Sequence, residues 1–360
     1  MGTTKQSEGF GSAATEGNSD DKAKDPLELV VDRSKAQLDV THFAAMYLWL
    51  GWFNFYGTLM IIAPLMWLSP SLWSWGKYPF LAVMGLLLLS AVAPVDRKKQ
   101  PLWGKVLGKW LMRKASEYFR IRIFCEAGAR ATLNDRASAP CLYLMEPHDI
   151  LPVSIFALSK YLSFITTNDA MGCLSSICFH IPGMRHVYTW GHATDVNKKT
   201  ICRHLSQGTS LALCPGGAQE VTYMSTHRSK EIVIYLKKRM GIVKIAAQFG
   251  VPLVPTFTFN QRAAFDFYIP RAGFLHKLGR KIGFIPLYYS GWLGIPYGQP
   301  KPVPLTLVVG SPIMVPKMAA SELIEANLLP YQTLLIDAMR RIYEENKERF
   351  DMADVELRIL

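Results

Sequence analysis

The stretch CLYLMEPHD, residues 141–149, carries five apolar residues, Cys141 to Met145, directly into a charged turn, Glu146-Pro147-His148-Asp149. An apolar run of that length, ended by a proline-containing turn, reads as a buried strand. Short apolar runs of the same kind recur at 163–167, 210–214, 253–259 and 305–310, and helix-like stretches at 195–207 and 232–249 separate several of them. Strands alternating with helices predict an α/β fold, a central and largely buried sheet flanked by helices. A final helix is expected over about 319–350, with charge in its last turns.

In such a sheet, ligands collect just past the carboxyl ends of the strands. Two polar clusters sit there. The first is the 146–149 turn itself. An imidazole flanked by carboxylates in an apolar context suits general-base work, because its pKa lies near operating pH and a carboxylate can fix its tautomer. Pro147 equally marks an ordinary turn with a solvated His148, and these four residues alone do not separate the two. The second cluster, Pro215-Gly216-Gly217-Ala218-Gln219-Glu220, follows the 210–214 run. Adjacent glycines let the backbone approach a ligand and offer amides to an anion or oxyanion, and Glu220 could position a catalytic group. A Pro-Gly-Gly sequence by itself is more often just a turn.

Arg185 lies in an apolar stretch, and Lys237, Lys238, Arg239 and Lys244 form a basic group beside Gly241. Such side chains hold phosphates, although for Lys237 and Lys238 a solvated helix face is the better account. No G-x-S-x-G elbow is present, so a lipase-type serine is unsupported. No cysteine stands in a motif that would lower its pKa. Direct attack by a substrate hydroxyl is the simplest scheme that remains.

Upstream the chain turns apolar. Residues 43–68 contain no charged side chain and are long enough to cross a hydrocarbon layer of ~30 Å as one helix. Tyr47, Trp49, Trp52, Phe53, Phe55, Tyr56 and Trp67 suit anchoring at the interface. Ser69-Pro70-Ser71 and Gly76-Lys77-Tyr78-Pro79 punctuate a short link, and a second apolar run, 80–95, is shorter than an ideal span. Lys22, Lys24, Arg33 and Lys35 precede the first run, and Arg97, Lys98, Lys99, Lys105 and Lys109 follow the second. The positive-inside rule then puts both outer ends in the cytosol, giving a transmembrane or re-entrant hairpin. The alternative is a helical hairpin buried in a soluble core. The expected organisation is a disordered cytosolic tail over 1–40, a hydrophobic membrane hairpin over 41–96 and a cytosol-facing domain over 97–360. Residues 1–25 lack the apolar run of a signal peptide, and Gln6 stands where a myristoylation pattern wants Ser or Thr. The stretch 102–122 interleaves apolar and basic residues and reads as an amphipathic helix, lying on a membrane or packed on the domain.

Lys+Arg 40 against Asp+Glu 28 leaves +12 in a chain of 360 residues that is 50% hydrophobic. Apolar character joined to positive charge fits contact with an anionic membrane face. Without a nucleic-acid motif, a nucleic-acid partner is not expected. The six cysteines form no CxxC pair and no zinc pattern, so structural, reduced thiols are expected and no metal.

Taken in order, these motifs resemble those of the type-2 diacylglycerol acyltransferase family, which includes monoacylglycerol and wax-alcohol acyltransferases. Glu146-Pro147-His148-Asp149 is similar to the family block that reads HPHG in animals and fungi and EPHS in plants. Pro182-Gly183-Met184-Arg185 resembles its PxxR element, Pro215 to Glu220 its PGG…E block, and Arg239-Met240-Gly241-Ile242 its RxGF element. Val308-Val309-Gly310-Ser311-Pro312-Ile313 resembles VVGxPI, and Leu357-Arg358-Ile359-Leu360 a plant-type ending. Glu146 in place of the first His of the animal block leans towards the plant, algal or protist variant and leaves His148 as the imidazole. The residue five after His148 is Val153, so the HxxxxD pattern of glycerophosphate acyltransferases fails.

The resemblance implies transfer of a fatty-acyl group from acyl-CoA, a co-substrate, to diacylglycerol, with no metal or bound cofactor. His148 would be the general base, Glu220 and one of Glu146 or Asp149 would orient it, and Gly216 and Gly217 would contribute to holding the oxyanion. Pro147 and Gly241 would shape the substrate site, and Arg185 and Arg239 would contact the CoA phosphates or shape it. Monoacylglycerol or a long-chain alcohol is the alternative acceptor, and a non-catalytic lipid-binding scaffold the alternative of another class. The implied setting is the endoplasmic reticulum membrane, extending to lipid droplets, with the question of a homo-oligomer open.

Overall fold

The computed structural model describes residues 27–360, apart from 94, 96–99, 136–138, 156, 158–160, 162–169, 225–229 and 271–286. Leu142–Glu146 is a strand, β3, buried along its whole length. Because side chains alternate across a strand, Tyr143 and Met145 enter one apolar core while Leu142 and Leu144 enter another. Both faces of the sheet are therefore covered, which is why the run lacks polar alternation.

The other strands of the central sheet are β1 (Leu27–Asp32), β2 (Arg122–Glu126), β4 (Ala170–Leu174), β5 (Ala193–Asp195), β6 (Ser210–Leu213), β8 (Leu253–Phe259) and β11 (Thr306–Val309). Their spatial order is β1-β2-β11-β8-β3-β6-β4-β5. The stretch from β8 through β3, β6 and β4 to β5 is parallel, while β11 runs antiparallel to β8 and β1 antiparallel to β2. One face carries α1 (Val40–Leu50), α4 (Leu102–Tyr118) and α6 (Met184–Trp190); the other carries α7 (Lys198–Ser206), α9 (Met240–Phe249) and α10 (Glu325–Asn346). Short α5 (Ala129–Asp135) follows β2, and α8 (Gln219–Tyr223) follows β6. Two small pairs complete the described strands: β9 (Asp266–Tyr268) with β10 (Tyr288–Ser290), and β7 (Glu231–Ile234) with β12 (Glu356–Ile359).

Several expectations are corrected. The stretch 232–249 is not one helix. Its β-branched start, Ile232-Val233-Ile234, pairs as β7 with β12, and the helix begins only at Met240. Residues 27–32 of the expected tail form an edge strand on β2, whereas 1–26 and the apolar run at 163–167 lie outside the described residues. The 102–122 helix ends at Tyr118, and Gly104, Gly108, Leu111, Met112 and Ala115 pack inward while Leu102, Trp103 and Val106 are exposed.

The apolar region also differs. Residues 43–68 are not one straight span. The chain bends by 75° between Val40–Leu50 and Asn54–Met66, because Ala45, Met46, Trp49 and Leu50 of α1 are buried in the domain core. α2 (Trp52–Leu68) then leaves the domain, and α3 (Pro70–Val92) returns, its helix running straight through Pro79. The punctuation at 76–79 is thus helical, and Ser74–Val92 is 19 residues with a mean hydropathy of 1.5, long and apolar enough to cross a bilayer. At 1.5 Å per residue, the 17 residues of α2 and 23 of α3 reach about 26 and 35 Å. Both ends of the hairpin are tied to α6 and its approach: Tyr56 donates to the Pro182 carbonyl (2.9 Å), Ser90 Oγ accepts from the Gly183 amide (2.6 Å) and Arg185 donates to the Ala91 carbonyl (2.7 Å).

Candidate active site

β3 and β6 are adjacent parallel strands, paired Leu142 with Leu211 and Leu144 with Leu213. Their carboxyl ends therefore deliver the 146–149 turn and the 215–220 loop side by side, bringing together two motifs about 70 residues apart. Gly216 donates its amide to Glu146 Oε1 at 3.0 Å. Glu220 Oε2 accepts from the His148 amide (2.7 Å), and its Oε1 from the Tyr235 amide (2.9 Å), just beyond β7. A side chain at Gly216 is excluded, since its Cβ would stand 1.8 Å from Glu220 Oε1.

These contacts revise the roles expected for the carboxylates. Neither Glu146, Glu220 nor the Asp149 carboxylate bonds to the imidazole. His148 Nδ1 instead donates to the Asp149 backbone carbonyl at 2.7 Å. Asp149 has φ 54°, a left-handed conformation that Asp tolerates better than most residues, and its carboxylate accepts from the Ile150 amide (2.8 Å). The two glutamates hold the loop rather than the ring. Sequence reasoning missed Gln261, just past β8: its Nε2 donates to the Pro147 carbonyl (2.7 Å) and its Oε1 accepts from the Ser154 amide (3.0 Å). Nothing local to residue 261 signals that role, which exists only because β8 lies beside β3.

Burial pulls the His148 pKa down to about 4, with the Asp149 carbonyl opposing. At neutral pH the ring is uncharged, Nδ1 holds the proton, and Nε2 keeps a lone pair with no partner among the described residues. Burial raises Glu146 to about 7, and burial together with the neighbouring Glu146 charge raises Glu220 well above its ordinary value. Two buried carboxylates this close cannot both ionise, so the pair keeps one proton near pH 7. Glu220, raised the further by burial and by the Glu146 charge, keeps that proton, while Glu146, whose Oε2 accepts from no donor, gives up its own near pH 7. Asp149 is pushed up to about 6 by burial, with the Arg262 charge resisting. Cys214 donates to the Met145 carbonyl and its thiol is driven well above the usual range, so it is no nucleophile.

The basic residues are placed differently from expectation. Arg239 donates to the Gly216 carbonyl (2.9 Å) and lies over the Tyr235 ring, so it braces the glycine loop from behind. Arg185 gives one N–H to the Ala91 carbonyl at the end of α3, and its Nε has no partner among the described residues. A side chain at Gly241 would meet nothing within 4 Å, and Gly241 does not line the cavity. Gly216 gives its amide to Glu146, leaving Gly217, φ 57°, as the glycine that faces the cavity.

That cavity, about 440 Å³, has His148 on its wall. Most of the rest is apolar: Trp49 and Leu50 at the end of α1, Leu151, Val153, Met184 and Val221 among others. Fold and site together define an α/β domain with a neutral, tautomer-fixed imidazole facing an apolar cavity, joined to a helix long enough to span a bilayer. A model of the diacylglycerol acyltransferase family matches residues 74–360, and the chain belongs to that family. It is 30% identical over 195 residues to diacylglycerol O-acyltransferase 2 of Rattus norvegicus, covering 50% of this chain and 48% of that one. It is 31% identical over 191 residues to diacylglycerol O-acyltransferase 1 of Saccharomyces cerevisiae (51% and 45%). To acyl-CoA wax alcohol acyltransferase 2 of Mus musculus it is 30% identical over 193 residues (49% and 55%). The chain thus spans about half the length of the curated relatives it matches. A solved structure, the 1-acyl-sn-glycerophosphate acyltransferase PlsC of Thermotoga maritima, overlaps 74% of this chain and 90% of its own at 15% identity, with a TM-score of 0.39. A likeness that slight carries nothing about the chemistry of this chain.

Proposed function

We propose that the chain transfers a fatty-acyl group from acyl-CoA to the hydroxyl of diacylglycerol, giving triacylglycerol and CoA, at the endoplasmic reticulum membrane. The observation that carries the reading is the His148 ring: Nδ1 is held by the Asp149 carbonyl while unpartnered Nε2 belongs to an apolar cavity. The acceptor hydroxyl gives its proton to Nε2 as its oxygen bonds to the thioester carbon. The carbonyl oxygen gains the negative charge, which the Gly217 amide would face. Collapse of the tetrahedral intermediate breaks the carbon–sulfur bond, and the imidazolium returns its proton to the departing CoA sulfur. A ring with a pKa near 4 is a weak base in the empty site, so the Asp149 carbonyl matters: it stabilises the transient imidazolium through Nδ1–H.

The hairpin would hold this site at the bilayer surface, with the lipid arriving from the membrane and CoA from the cytosol. Similarity to both diacylglycerol and wax-alcohol acyltransferases supports a long-chain alcohol as the second reading. Microsomes carrying the chain, labelled acyl-CoA and a panel of acceptors test both. His148→Ala is expected to lower transfer roughly 10²- to 10⁴-fold, the scale of general-base catalysis, while the protein still inserts into the membrane. Wild-type rates from that variant would remove His148 from the mechanism.

A further inference from the structure

Two apolar hollows flank one corner of the chain. The inner one is the cavity that holds His148. The outer one, about 410 Å³, lies between the α1–α2 corner, with Tyr47, Gly51, Trp52 and Phe55, and the α3 residues Val83 and Leu87. The wall between them is two short segments. Trp49 and Leu50 line the inner hollow and Gly51 and Trp52 the outer; Met184 lines the inner and Gly183 the outer.

Trp52 closes this wall. Its six-membered ring lies against Gly183, where a Cβ would come within 2.3 Å of the indole. Its N–H is fully covered and has no acceptor among the described residues. Other polar groups at the corner are paired: Tyr56 with the Pro182 carbonyl, Ser90 with the Gly183 amide and Leu87 carbonyl, Asn54 with the Pro296 carbonyl, while Tyr47 is half-exposed. The hollow has no charged residue on its wall: besides the covered Trp52 donor, only the half-exposed Tyr47 and the paired Ser90 bring polar side-chain atoms, and that defines its ligand. A charged headgroup would find no counter-charge there. An apolar chain ending in an uncharged acceptor, a carbonyl, would fit. A buried donor without a partner also raises the free energy of the closed corner, so a carbonyl that takes the N–H favours opening.

We propose that the outer hollow is the portal through which an ester-bearing lipid reaches the inner cavity, and that the Trp52 N–H binds the lipid's ester carbonyl on the way. Trp52 is then a specificity-determining residue that favours esters over ethers. This deepens the acyl-transfer reading of the inner cavity and rests on it.

The test compares 1,2-diacylglycerol with its 1,2-dialkyl ether analogue, which keeps the hydroxyl and both chains but lacks the carbonyls. Reconstituted wild-type protein is expected to favour the ester in kcat/KM by roughly five- to tenfold, the scale of one neutral hydrogen bond. In Trp52→Phe, which keeps a ring over Gly183, the preference should collapse towards one, the loss falling on the ester through KM. Equal losses on both lipids would mean a packing role only, and an unchanged preference would likewise overturn the proposal. Should wild-type protein acylate neither lipid, the acyl-transfer reading fails instead. Retention of labelled diacylglycerol over its ether analogue by detergent-purified protein, lost in Trp52→Phe, then still decides whether the portal binds esters.

Discussion

Glu146 and Glu220 sit together beneath the His148 turn, each tied to backbone amides, and near pH 7 Glu220 keeps its proton while Glu146 gives up its own. Loss of the Glu146 proton places a charge in a buried site beside Glu220, the side chain that holds the His148 amide. The acid limb of kcat/KM should therefore fall near pH 4, where His148 protonates, and an alkaline limb should begin near pH 7, where the Glu146 proton leaves. Glu146→Gln, which cannot ionise, is expected to retain activity at about pH 6 and to lose the alkaline limb; a wild-type profile from that variant would show that the pair does not govern the rate. Stability follows the same groups with opposite signs. His148 is lowered from 6.5 to about 4, so the unfolded chain binds a proton first and stability is lost as pH falls through that window. Glu146 is raised from 4.5 to about 7, so the folded chain binds first and stability is lost as pH rises towards 7. At this scale the sequence revealed which residues meet but not how. Carboxylates beside His148 look like ring partners in a linear string, yet the backbone conformation of Asp149 turns a carbonyl onto the ring instead, and that is not written in residue types.

Among the elements, the α/β alternation was legible because β3, β6, β8 and β11 are mostly apolar and lack a polar face, as strands buried along their whole length must. The helices of the apolar region were less so. A run without charges looks the same whether it faces lipid or a protein core, so the burial of α1 in the domain left no mark on hydropathy. Pro79, read as punctuation, is tolerated inside α3, as prolines are in membrane helices. α3 exposes Leu81 at 55% and Leu89 at 64%, a surface that only lipid or another apolar body suits. Replacing both with Arg should cost roughly 2.5–3.5 kcal/mol each on insertion. The double variant is expected to move into the carbonate-soluble fraction, whereas the parent chain stays in the pellet.

Across the whole molecule, the site depends on chain far from it in sequence. Leu360 accepts from the Leu236 and Lys237 amides (2.9 and 2.7 Å) and β12 pairs with β7, which leads into Tyr235 and so to Glu220. Deleting 356–360 should leave membrane attachment intact and lower kcat roughly ten- to hundredfold, the cost of a misplaced catalytic group; initial rates on the attached fraction measure it. The hairpin makes a second long connection, because its two feet stand on Pro182, Gly183 and Arg185, next to Met184 on the cavity wall. With α3 spanning as its length and composition allow, a bilayer thinner or thicker than it prefers would tilt or strain it, and those feet would transmit the stress to the cavity. Turnover measured in vesicles of graded lipid chain length should therefore pass through an optimum, so that the thickness of its host sheet becomes an input to the enzyme; a domain on a slack leash would turn over at one rate in all of them.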